Sequence, residues 1–372
     1  MGSEPPYPVL TLPVELVDHI FAHCLPPLPI PGGGSSETLT WGWTSESLPQ
    51  STNKVPLLLS SICSTWRRIA LSSPKLWTTL TMRFEAARPN AQVLRDRVSL
   101  CETWLARSRN LPLHLGLRYT HPDPPSLVDD AFLDVLNGCS FRWKSLRLRM
   151  QRCDFDRLCQ RLGGRIPLLD TLCVDIVQGG RVLNLSEIIA FEDAPVLPNL
   201  LLATPFWFCL NGAKQLPVTR LKRLYVVQFA FAGLFLCIAP NLEECCAAGP
   251  FIHRGLRVLR AVHGKHHRPF LDCITTPALE KLELRLGADE EHHFLNFMAR
   301  SSCPLRTFHL RFQKNSIMSA DALSRCLAVA SSLTELKIYL PDCDTSESLI
   351  SAILSPESLS LLATLYINDA RA

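Results

Sequence analysis

Fifteen cysteines and eleven histidines are the residues of this 372-residue chain with the most chemistry in them, and their spacing decides what that chemistry is. The densest group is His263-Gly264-Lys265-His266-His267, with His292-His293 as a second contributor. Zinc wants three or four convergent nitrogen, sulfur or carboxylate ligands, and adjacent histidines in a glycine-containing loop do not converge by themselves. The run therefore reads as a solvated loop, and no metal or other cofactor is expected. Most cysteines sit among apolar neighbours, as in Phe235-Leu236-Cys237-Ile238, where a thiol behaves as a small hydrophobe. Paired cysteines at metal-binding spacing, a phosphate-cradling glycine loop opening a helix, a serine elbow and a His-Glu-x-x-His run are all missing from the sequence. No catalytic residue is assigned. An enzyme with residues dispersed among loops stays open, and a deep pocket with convergent titratable groups would mark it.

The odd cysteine count, the length and the polar opening Met1-Gly2-Ser3-Glu4 argue against a disulfide scaffold with a signal peptide. A reducing compartment, cytoplasmic or nuclear, is expected. Pro6 stands where an N-myristoylation motif wants Ser or Thr, and the apolar stretch Leu224–Ala239 is interrupted by Gln228, short of the ~20 residues that span a bilayer. No membrane partner is expected. Apolar residues make up 47% of the chain and charged residues 19%, so it is predominantly folded. The net charge of +4 is small and the basic residues are scattered, which does not imply nucleic acid.

Two elements near the start are read from helical periodicity. Leu12-Pro13 opens a helix carrying Leu16, Val17, Ile20, Phe21 and Cys24, an apolar stripe wider than three turns can hide on themselves. A second helix is expected from Pro56, with Leu58, Leu59, Ile62, Cys63, Trp66, Ile69 and Ala70, ending near Ser72-Ser73-Pro74. Leu76–Met82 reads as a short strand. Between the helices, residues 26–53 are rich in Pro, Gly and Ser and read as a disordered-like surface insertion, in which Trp41 and Trp43 either pin the loop back or touch a partner.

The series Leu12-Pro13-x-Glu15-Leu16 with Ile20-Phe21, then Ile62-Cys63-x-x-Trp66-Arg67, then Leu76-Trp77, resembles the F-box of fungal proteins. Leu105-Ala106-Arg107-Ser108 with Leu111-Pro112-Leu113 resembles the segment C-terminal to the F-box in those proteins. The resemblance implies a helical domain that packs on a Skp-type adaptor and through it joins a cullin-RING ubiquitin ligase. Leu12, Pro13, Leu16, Ile20, Phe21, Cys63, Trp66 and Arg67 would then meet the adaptor or brace that surface. The 26–53 connection is longer than the one usual in the family. The alternative is that these helices only cap a repeat core.

Downstream, a Leu-x-x-Leu-x-Leu phrase recurs at Leu169, Leu197, Leu221, Leu279, Leu305, Leu333 and Leu362, with degenerate copies at Leu242-Cys245 and Leu256-Leu259. This is the strand signature of leucine-rich repeats. Apolar segments such as His293–Ala299 and Ala322–Ala328 supply helices between strands. The fold expected is thus α/β: a flexible tail at 1–8, a short helical F-box domain at 9–77, and a leucine-rich-repeat-like solenoid over 78–372 with parallel strands on its concave face. Alternation along the strands sends Arg223, Tyr225, Lys281, Glu283, Arg285, Thr307, His309, Arg311, Glu335, Lys337 and Tyr339 out of that face, as candidate contacts to an unknown protein target. The function expected is a non-catalytic substrate receptor of an SCF-type ligase. The alternative is a repeat scaffold without a ligase role.

Overall fold

The computed structural model describes residues 12–26, 54–84, 91–119, 130–162, 166–177, 183–184, 191, 194–202, 206–207, 218–226, 239–246, 251–261, 270–287, 290–312, 318–340 and 362–369. The 1–8 tail, the insertion beyond Pro26 with Trp41 and Trp43, and the His263–His267 run lie outside the described residues. The protein is α/β with parallel strands, and it divides into two compact units: 1–204 with 209–217, and 205–208 with 218–372.

The first unit opens with three helices, α1 (Val14–His23), α2 (Lys54–Ile62) and α3 (Ser64–Ser72). Pro13 stands just before α1, with extended backbone, and its carbonyl accepts from the Leu16 and Val17 amides at 3.0 and 3.1 Å. The helix expected to run unbroken from Pro56 is in fact two. Cys63 takes an extended conformation between them and caps α3 through its own side chain, Sγ accepting from the Trp66 amide at 3.4 Å. Ser or Asp usually fills that capping place, which satisfies an N–H the helix leaves open. Leu76 and Trp77, expected in a strand, form a 3-10 turn over Pro74–Trp77 instead, and the strand β1 starts at Thr79 (Thr79–Phe84).

Then come α4 (Ala91–Arg107), β2 (Leu113–Tyr119), α5 (Asp130–Gly138), β3 (Trp143–Gln151), α6 (Arg152–Arg161), β4 (Thr171–Val177) and β5 (Asn199–Leu202). Strands β1 to β5 pair in that order, all parallel. Register is what makes the core. Leu80, Leu115, Leu146, Leu172 and Leu200 stand side by side across the five strands, and Met82, Leu117, Leu148, Val174 and Leu202 form a second row; all ten are buried. Such rows follow from the two-residue period of a strand: once one leucine faces the core, so must its second neighbour. Helices α4, α5 and α6 pack in series, and α6 lies against β3 and β4.

Tryptophans fasten the opening helices to this sheet. The Trp77 indole donates to the Ala70 carbonyl of α3 at 2.9 Å, its ring meets Trp104 of α4 edge-on at 4.6 Å, and Trp104 donates to the Thr79 carbonyl of β1 at 3.1 Å. Buried Arg142 ties the turn before β3: its guanidinium donates to the Leu111 carbonyl at 3.0 Å and the Ser108 hydroxyl at 2.6 Å.

In the second unit seven parallel strands run in order: β6 (Arg223–Val226), β7 (Glu244–Cys246), β8 (Val258–Ala261), β9 (Lys281–Arg285), β10 (Thr307–Arg311), β11 (Glu335–Leu340) and β12 (Thr364–Asp369). Leu224, Cys245, Leu259, Leu282, Phe308, Leu336 and Leu365 make one register row. The carbonyl just before each strand binds two successive amides of the next: Lys222 with Glu243 and Glu244, Arg257 with Glu280 and Lys281, Glu280 with Arg306 and Thr307, Arg306 with Thr334 and Glu335. This repeated arrangement fixes the stagger from strand to strand. Both helices expected between strands form, as α7 (Glu291–Ser301) and α8 (Ala320–Val329), and the rings of Phe294 on α7 and Phe308 on β10 stack at 5.0 Å.

Candidate functional site

Two surfaces carry the candidate residues, one on each unit. On the first, α1 buries Val17 and Phe21, and Phe21 meets the Trp66 ring of α3 edge-on at 4.9 Å. Phe21 is therefore part of the core that holds α1 to α3, where it braces the surface. Leu12, Cys63 and Trp66 are half-buried, and Pro13 and Arg67 are exposed, Arg67 donating to the Ser60 carbonyl at 2.8 Å. Leu16 and Ile20 keep 51% and 45% of their surface in water, and on α2 Leu58 and Ile62 keep 63% and 55%. Each pair is four residues apart, so each shares one helix face. Leu57 is a further exposed apolar residue of α2. Single exposed leucines are ordinary on a protein surface; here two helices each expose a pair of large apolar side chains on one face. The exposed positions Leu57 and Leu58 were not singled out for the partner face by sequence reading, because helical periodicity alone does not tell the buried flank of an apolar stripe from the exposed one.

On the second unit the alternating strand residues fall in register rows of their own. Lys281, Thr307 and Glu335 make one; Arg260, Glu283, His309 and Lys337 make the next; Arg285, Arg311 and Tyr339 the third. These side chains do not all reach solvent. Tyr225, Glu283, His309 and Arg311 are buried, because neighbouring strands bring long side chains within contact of one another. Glu283 is the hub: Arg311 Nε lies 3.4 Å from its Oε1, and Arg260 Nε and His309 Nδ1 lie 3.8 and 3.9 Å from Oε2. Arg260 also meets Glu244 at 3.0 Å, and the Arg311 guanidinium lies 3.8 Å over the Tyr339 ring. Burial, then the cations of Lys281 and Lys337, lower the His309 imidazole to about 4. Burial beside Glu244 pushes the Tyr225 phenol up. Arg223, Lys281, Thr307, Glu335, Lys337 and Tyr339 are only half-buried, with Lys337 and Glu335 paired at 2.7 Å. Arg285 occupies the register position beside Arg311.

No protein-family model matches the chain, and no curated protein matches it. The geometry thus stands by itself. Among the described residues no group of three or more His, Cys, Asp or Glu side chains is placed to hold a metal ion. His293 instead pairs with Asp272 at 2.7 Å. Cys24, Cys63, Cys153 and Cys159 are free thiols, as are the buried Cys101, Cys139, Cys173, Cys245, Cys303 and Cys326. Burial raises Cys101 and Cys326 to about 12 and Cys173 and Cys303 to about 11, values at which a thiol is no nucleophile at neutral pH. Among the described residues, no helix is long and apolar enough to cross a membrane.

Proposed function

We propose that the chain is a non-catalytic receptor subunit of an SCF-type ubiquitin ligase, with α1 to α3 as an F-box docking on a Skp-type adaptor and, through it, a cullin-RING scaffold. The strands form a leucine-rich-repeat-like solenoid whose outward rows take a protein target. Function would lie in the cytoplasm or nucleus. The observation that carries this reading is the exposed apolar rows of α1 and α2, Leu16 with Ile20 and Leu58 with Ile62, on helices whose opposite faces are already packed. Burying the remaining half of four such side chains would contribute roughly 3–6 kcal/mol, half of the ~1.5–3 kcal/mol each is worth when fully covered. A micromolar complex needs about 8.2 kcal/mol net of association costs, so these four side chains would supply part of the affinity and other contacts of the same surface the rest.

The experiment is adaptor binding by the purified chain, wild type against Leu16→Asp and Leu58→Asp. Both positions are more than half exposed, so the variants fold, and adaptor binding is lost if the reading holds. A second reading, a repeat scaffold in which α1 to α3 serve as an end cap, draws on the tie that Trp77 makes between α3 and α4. It predicts no adaptor binding by the wild-type chain.

A further inference from the structure

Helix α1 brings two imidazoles together on its exposed side. His19 and His23 stand four residues apart, about one turn of helix, and both are exposed. Their Nε2 atoms lie 3.1 Å from each other, with the ring centroids 4.6 Å apart and the ring planes at 82°. Two nitrogens each ~2.0–2.1 Å from one zinc ion are ~3.3 Å apart at the tetrahedral angle and ~2.9 Å apart at a right angle. The observed separation is that of a chelating pair. The surroundings suit a cation: α1 carries Glu15 and Asp18 and neither Lys nor Arg, and Glu15 stands four residues before His19. His23 is in the last turn, where the partial negative charge of the helix end favours a cation. The neighbouring thiol is engaged elsewhere, Cys24 Sγ donating to the Ile20 carbonyl at 3.4 Å. Sequence reading weighed other histidines for metal and did not single out this pair.

We propose that His19 and His23 form a binding site for a divalent transition-metal ion of the zinc class, held through both Nε2 atoms. Two histidines four apart on one helix face are the arrangement by which helices present imidazoles to zinc, and imidazole suits zinc, copper and nickel alike. In the free pair one neutral ring donates its Nε2 proton to the other. On binding, that ring carries its proton on Nδ1 instead, both Nε2 lone pairs face the ion, and no proton is released. The chain fills two of the four positions zinc usually takes, and water or a donor from another molecule fills the rest. Carrying both ligands on one helix makes the second bond intramolecular, so the pair holds an ion more tightly than single exposed histidines do. Leu16, His19, Ile20 and His23 follow the i, i+3, i+4, i+7 pattern of one helix face, which seats the ion beside the exposed apolar row. The inference does not rest on the adaptor reading, because the chain holds the ion without an adaptor.

The test uses the full chain at neutral pH with zinc chloride as the only added ligand. Diethyl pyrocarbonate modification followed by mass spectrometry reads each histidine separately, so zinc bound at other histidines or thiols does not obscure the pair. Zinc should slow modification of His19 and His23 together by about tenfold or more, and in His23→Gln it should leave His19 unprotected. His23→Gln/Cys24→His keeps two histidines on α1 but five residues apart, and should not restore the protection. By calorimetry, His19→Gln/His23→Gln should take up one zinc ion fewer than the wild type. Both side chains are exposed, so the variants fold, which circular dichroism checks, and His23→Gln alone serves if a double variant does not. Equal modification of His19 and His23 with and without ~1 mM zinc, protection of His19 that survives in His23→Gln or returns in His23→Gln/Cys24→His, or unchanged zinc uptake by the double glutamine variant would overturn the proposal.

Discussion

Glu283→Ala is the most informative single perturbation of the second unit. Glu283 is 3% exposed and is the counter-charge shared by Arg311 and Arg260, with the neutral His309 imidazole beside it. Removing one member of a buried ion pair costs about 3–5 kcal/mol, because the partner is left as an uncompensated buried charge. Arg260 retains Glu244 at 3.0 Å and Arg311 retains the Tyr339 ring, so the lower end, about 3 kcal/mol, is expected. At roughly 2–4 °C of melting temperature per kcal/mol for a domain of about 150–250 residues, the drop is on the order of 6–12 °C. The assay is thermal unfolding monitored by tryptophan fluorescence, with urea midpoints as a second measure. A double-mutant cycle of Glu283→Leu, Arg311→Leu and Glu283→Leu/Arg311→Leu should show that the double variant loses less than the two single variants together. A fall smaller than ~2 °C, or strictly additive effects in the cycle, would refute the idea that Glu283 organises this face.

The pH dependence has a definite sign. His309 and His114 titrate at about 4 in the folded chain, in both cases chiefly through burial, against an ordinary value of 6.5. Between pH 6.5 and 4 the unfolded chain takes up protons that the folded chain refuses, so stability is full above 6.5 and falls as the pH drops through that window. Chemical denaturation across this range should show the fall, and His309→Gln should flatten part of it. Phe21→Ala should cost about 3–5 kcal/mol by opening a cavity against Trp66, while Leu16→Ala should cost little, which a pair of urea titrations separates. Alkylation coupled to mass spectrometry should label exposed Cys24 and Cys153 well before Cys101, Cys173 and Cys326.

The second unit was legible because its leucine phrase states the alternation of each strand twice, at Leu279-Leu282-Leu284 and again at Leu305-Phe308-Leu310, and the register pairs those same residues. Strands β1 to β3 belong to the same pattern yet do not display it. In β1 and β3 the first leucine is replaced by Trp77 and Trp143, both fully buried, and in β2 an irregular register between Leu113 and His114 brings Leu113 to that place by a different spacing. A second recurring signal was available: Ile166-Pro167, Ala194-Pro195, Ala239-Pro240 and Thr276-Pro277 open the turn before β4, β5, β7 and β9. There proline presets the backbone of the second turn residue, and Leu169, Leu242 and Leu279 donate to the residue before the proline. The break at Cys63 was not legible, because neither Gly nor Pro marks it and a thiol seldom serves as a cap. The burial of Glu283, His309 and Arg311 was equally hidden, since it depends on which side chains face one another across strands far apart in sequence.

The most direct test of the central proposal is co-purification of the full chain with a Skp-type adaptor and cullin from cells that supply both. The account predicts that adaptor and cullin come down with the wild-type chain and are lost from folded Leu16→Asp/Leu58→Asp. Failure of the wild type to bring them down, or equal recovery with the folded variant, would contradict it.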